Sequence, residues 1–193
     1  MAELLPEEKR KVRKPLLWIG LASIVMAFAG LTSGYVVSRS ALLADNRWLQ
    51  FALPDEFYYA TAAIIASSLT LIWAKRAVRA GQSAQLITGL WLTLLLGIVF
   101  AVLQLLGWFS LIDQGYFFTG ENSNTAISWV YVITFLHWLH VISGLIVLMV
   151  TLFQAYRGKY TPASHLGLSL TSIFWHFLDG LWIYLFGFLV FIR

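Results

Sequence analysis

Five apolar stretches leave this chain few ways to fold: roughly residues 16–37, 57–74, 86–109, 126–153 and 166–192. Each is near or above the roughly 20 residues a helix needs to cross bilayer hydrocarbon. A helix satisfies its own backbone hydrogen bonds in lipid, whereas the alternative, a closed barrel, would show strands of about ten residues with alternating polarity. No such alternation is present. With 60% hydrophobic and 11% charged residues, the composition lies outside that of soluble domains. The sequence therefore predicts an all-α, polytopic membrane bundle of five transmembrane helices. Residues 1–15 form a charged tail, expected to be mobile, and residues 16–193 a single membrane domain.

Basic residues set the expected orientation. Lys9, Arg10, Lys11, Arg13 and Lys14 precede the first span, Lys75, Arg76 and Arg79 follow the second, and Arg157 and Lys159 follow the fourth. Those ten fall on one side of a five-span chain, against Arg39, Arg47 and Arg193 on the other, where Asp45, Asp55, Glu56, Asp113 and Glu121 also lie. The positive-inside rule puts the amino terminus in the cytoplasm and the carboxy terminus outside. The net charge of +4 follows from this asymmetry and gives no support to nucleic-acid binding.

The first span is too long for the apolar core of a cleaved leader, and Ala27, Ala29, Gly30 and Gly34 lie within it, which favours a retained anchor. With no cysteine in the chain, disulfides, thiolate zinc sites, iron–sulfur clusters and cysteine-ligated copper are excluded. No internal repeat of the kind found in inverted-repeat transporters is visible. Trp48, Phe51, Tyr58 and Tyr59 around the first outer loop, with Trp108, Phe109, Tyr116, Phe117 and Phe118 around the second, read as interfacial aromatic belts. Gly30 with Gly34, and Ala60, Ala63 and Ser67, repeat at intervals that let helices approach closely.

Ionisable side chains stand inside two of these spans. His137 and His140 lie in the fourth, His176 and Asp179 in the fifth, each pair spaced i, i+3 and so sharing a helix face. Folding the two spans about Gly158 in the turn Arg157-Gly158-Lys159 brings His137 level with Asp179 and His140 level with His176. Intramembrane ionisable residues are costly and need partners. One reading is a hydrogen-bonded clasp that fixes the hairpin register, with Asp179 accepting from an imidazole. The other is a b-type haem or metal held by His137, His140 and His176, neutral imidazole being a common ligand. A dinuclear carboxylate centre would want several acids in the bundle core, and Asp179 is the only one deep in a span. His165 reads as interfacial. Hydroxyls such as Ser67, Ser68 and Thr70 can bond back to their own helices, while Gln104 carries an amide with more bonds to satisfy.

The order Ser128, Tyr131, Thr134, His137, His140, Val141, Gly144, followed in the last span by Trp175, His176, Phe177, Asp179 and Trp182, resembles subunit III of the haem–copper respiratory oxidases. Gly97, Phe100 and Gln104, and the run Ser67, Ser68, Thr70, are similar to further stretches of that family. The five spans resemble its short form, which lacks two leading helices. There are departures. Ile24 follows Ala22-Ser23 where many relatives have a glutamate, Gly107 replaces a second glutamate, and Phe135 and Trp138 flank His137 where relatives have glycines. Proton roles tied to those glutamates do not carry over.

The resemblance implies an accessory, non-redox subunit of a proton-pumping aerobic terminal oxidase in the bacterial cytoplasmic (inner) membrane. Such a subunit binds no metal itself. Haem and copper reside in partner subunits, phospholipid is bound, and the expected partners are subunit I directly, subunit II and a small subunit IV. A cytochrome c oxidase is expected over a quinol oxidase. The alternatives of another class are a b-type haem electron-transfer protein and a small transporter using Asp179.

Overall fold

The structure is a computed structural model that describes residues 6–44, 46–120 and 123–192, with side chains from Val12 onward. It is all-helical: α1 Pro6–Ala44, α2 Asp55–Arg79, α3 Ser83–Asp113, α4 Thr125–Tyr156 and α5 Leu166–Phe191. All five are long and apolar enough to cross a membrane. Apart from one isolated bridge between Phe117 and Ser123, no strand occurs among the described residues.

The helices outrun the apolar stretches. Helix α1 is already formed at Pro6, with Pro15 inside it, so residues 6–14 of the expected tail are helical. At about 1.5 Å per residue its 39 residues exceed the roughly 30 Å of bilayer hydrocarbon by a wide margin. The first four helices end in a common way. Asn46, Gly81, Gly115 and Gly158 each adopt positive φ just past a helix end. Two backbone N–H groups then turn back to the last carbonyls, as in Gly158 to Ala155 at 2.9 Å and Lys159 to Gln154 at 3.1 Å. This closes the orphan carbonyls of a helix terminus, and glycine takes the left-handed conformation without steric strain.

Helices α2, α3, α4 and α5 pack in a ring, each against its chain neighbour and α5 back against α2, while α1 touches only α4 and α5. The closest approach is between α2 and α3. A Cβ at Gly89 would stand 2.8 Å from the Cβ and 3.1 Å from the Cα of Ala74, a contact that backbone atoms cannot yield. The buried stripe of α2, Phe57, Ala60, Ile64, Ser67, Leu71 and Ala74, follows helical spacing and includes two of the small residues noted above. By contrast α1 buries only Leu21, Phe28, Thr32 and Tyr35 among its described side chains. Trp48 and Phe51, expected in an interfacial belt, instead fold under the bundle end, Trp48 against Tyr35 and Phe51 against Tyr116.

The hairpin of α4 and α5 is centred elsewhere than on Gly158. Helix α5 begins only at Leu166, so the connection runs from 157 to 165 and its midpoint is near Thr161. The register slides accordingly. Thr151 meets Thr171 at 2.7 Å, and the His137 ring packs on Trp182.

Candidate functional site

Asp179 points across the ring to α2. Its Oδ2 accepts a short hydrogen bond from Ser68 Oγ, and the same hydroxyl lies 2.9 Å from Nδ1 of His176. The carboxylate and imidazole themselves are 3.9 Å apart. Asp179 is 3% exposed, so this three-residue cluster is a polar island close to the middle of both helices. The hydroxyl stands between the two ionisable groups and is held by both, an arrangement that locks side chains and does not free an oxygen for attack.

Two further contacts tie α2 to α5 on either side of that island. Trp175 Nε1 donates to Ser67 Oγ at 2.9 Å, and Trp182 Nε1 donates to Thr61 Oγ1 at 2.9 Å. The Trp175 indole fills a hole that two glycines make: a Cβ on Gly97 would meet its ring at 2.7 Å, and one on Gly144 at 3.1 Å. Ser67, Gly97, Gly144 and Trp175, from four helices, thus form one joint. Any added methyl on either glycine would push the indole off its serine.

His137 does not reach Asp179. It is fully buried among three rings, Phe28 of α1 at 6.3 Å, Phe100 of α3 at 6.0 Å and Trp182 of α5 at 5.2 Å. Neither of its nitrogens has a hydrogen-bond partner among the described residues, and the same holds for both polar atoms of Gln104 and for Asp179 Oδ1. His140 turns Nδ1 to its own helix, 2.6 Å from the carbonyl of Leu136, and packs against Phe28. The expected hydrogen bond between His137 and Asp179 is therefore not formed. The physical cause is the slide of the hairpin together with the hydroxyl offered by α2. His165 precedes α5, its Nδ1 3.2 Å from the carbonyl of Thr161 in the connection and not bonded to the helix's first N–H groups.

The remaining residues singled out in the sequence hold α4 to its neighbours. Ser128 donates to the carbonyl of Phe118, Tyr131 donates to that of Tyr116 at 3.0 Å, and Thr134 accepts from Trp108 Nε1 at 3.0 Å while donating to Val130. Phe177 packs partly buried on the outer side of α5. Ser68, read in the sequence as a hydroxyl bonding its own helix, proved to be the hub of the polar island. Thr61, the acceptor for Trp182, carried no signal beyond being a lone hydroxyl in an apolar helix. Among the described residues no three His, Cys, Asp or Glu side chains converge as a metal site.

Comparison with known proteins adds to this geometry. The family described as cytochrome c oxidase subunit III matches residues 51–192. A probable cytochrome c oxidase subunit 3 of Nocardia farcinica is 33% identical over 186 residues, covering 92% of this chain and 86% of its own. Cytochrome c oxidase subunit 3 of Corynebacterium diphtheriae is 32% identical, covering 90% and 84%. Cytochrome c oxidase subunit 3 of Gallus gallus is 35% identical over 130 residues, which are 65% of this chain but only 46% of the longer relative.

Proposed function

From membership of the cytochrome c oxidase subunit III family, to which this chain belongs, we propose that it is the accessory, non-redox subunit III of a cytochrome c oxidase. It lies in a bacterial cytoplasmic membrane with its amino terminus inside. The Lys and Arg residues beside the first, second and fourth spans support that orientation. The observation that carries the reading is where the polar residues go. Ser67, Ser68, Trp175, His176 and Asp179 are used to join α2 to α5, and no open polar cavity with convergent reactive groups is built from them. A protein whose costly intramembrane polar groups serve packing is equipped to be a rigid partner rather than a redox centre.

In this role the chain binds subunit I directly, with subunit II and a small subunit IV in the same complex. Haem and copper are carried by those partners, and phospholipid lies against its exposed faces. The polar island of Ser68, His176 and Asp179 serves as a structural clasp. Purification through a tag on this chain in mild detergent, followed by identification of the co-purifying subunits, tests the assignment. Subunit I together with a subunit II bearing copper ligands is the expected result. A subunit II without those ligands would make the complex a quinol oxidase, and no haem–copper subunit at all would overturn the reading.

A further inference from the structure

His176 is bonded on one side only. Its Nδ1 is committed to Ser68, which leaves Nε2 as the ring nitrogen turned outward. That nitrogen has no partner among the described residues, and the side chain is 33% exposed. It faces a groove of about 430 Å³ between α1 and α5, walled by Val25, Phe28 and Ala29 on one side and Phe177, Gly180 and Tyr184 on the other. The Tyr184 hydroxyl, the groove's other polar atom, is already used on Thr32 of α1 at 3.3 Å. His176 stands ten residues into the 26 of α5, about 15 Å from its start and so near mid-depth.

A ring nitrogen left unpaired at that depth costs free energy that a polar partner offsets. Acyl chains bring none, and lipid headgroups lie about 15 Å away at the interface. We infer that the groove between α1 and α5 seats a transmembrane helix of a partner subunit, which shares a hydrogen bond with His176 Nε2 through a hydroxyl or amide side chain. Two helices running side by side in the same direction, bridged at Thr32 and Tyr35, offer the furrow that a third helix occupies in a bundle. Helix α1 is otherwise poorly covered, with Trp18, Ile19, Val25 and Met26 exposed. The identity of the partner as an oxidase subunit rests on the proposed function; the polar contact and its depth do not.

The test uses the intact complex in native membranes. The chain has no cysteine, and a Cβ at Gly180 meets nothing within 4 Å, so Gly180→Cys carrying a short diazirine probe reports on the groove from within. It is combined with His176→Asn, which keeps a polar group near Nδ1 but loses the outward one, and with His176→Gln, which keeps an amide near Nε2 and loses the inward bond. The expected adduct maps to the middle of a partner's transmembrane segment, falls about threefold to tenfold in yield with Asn, and stays within about twofold with Gln. Adducts confined to lipid, or a protein adduct indifferent to the Asn change, would overturn the inference. Haem in the same preparation reads the subunit assignment separately. A haem-free sample that still gave the His176-dependent adduct would sink the oxidase reading and leave the groove assignment standing.

Discussion

Asp179 owes its place to Ser68, and that dependence can be measured. Replacing Asp179 with Leu leaves Ser68 without its carboxylate acceptor, and should lower the stability of the purified complex by about 1 kcal/mol, the usual size of a hydrogen bond between membrane helices. Asp179→Asn retains an acceptor and should lose less; thermal unfolding followed by loss of co-purifying haem ranks the two. His137 behaves in the opposite way. Because neither nitrogen has a partner among the described residues, His137→Phe removes an unmet polar group while keeping a ring of similar shape, and should be neutral or slightly stabilising in the same assay. A loss comparable to that of Asp179→Leu would show that His137 has a polar partner after all. The i, i+3 spacing made both clusters legible in the sequence, since polar residues in apolar runs stand out. Their pairing was not legible, because the third participant is a serine of α2, a residue type that ordinarily satisfies itself within its own helix.

At the scale of elements, glycines decide how near the helices come. Gly89→Ala sets a methyl against the backbone of Ala74 and should cost about 1–3 kcal/mol through separation of α2 and α3, the range for overpacking. Gly180→Ala meets nothing and should leave stability unchanged, or raise it slightly through helix propensity. Unfolding midpoints of the two variants give the comparison, and equal midpoints would contradict the close approach. The number and order of helices could be read directly from the sequence, because each span is a long apolar run. Their ends could not, since polar residues such as Ser83, Gln85 and Asp113 continue the helices until a positive-φ residue stops them. The hairpin register failed for a related reason. Gly158 was legible as a turn, but it only terminates α4, and seven more residues intervene before α5 begins at Leu166.

The whole molecule is a ring of four helices with a fifth, α1, attached along one edge through α4 and α5. The family match begins at residue 51, so it covers the ring and leaves α1 outside, although the full-length bacterial relatives extend over most of the chain. Orientation can be tested at this scale. A single cysteine at Lys159, in the connection between α4 and α5, should react with a membrane-impermeant maleimide in inside-out vesicles and be protected in intact spheroplasts; the reverse would invert the proposed topology. The central claim is that this chain supports a redox complex without carrying a redox centre. It is tested most directly by a reduced-minus-oxidised visible spectrum of the tagged complex, repeated after the partner subunits are stripped away. The account predicts an oxidase-type haem signal that leaves with the partners. A b-type signal remaining on the isolated chain would contradict it and return His137, His140 and His176 to consideration as iron ligands.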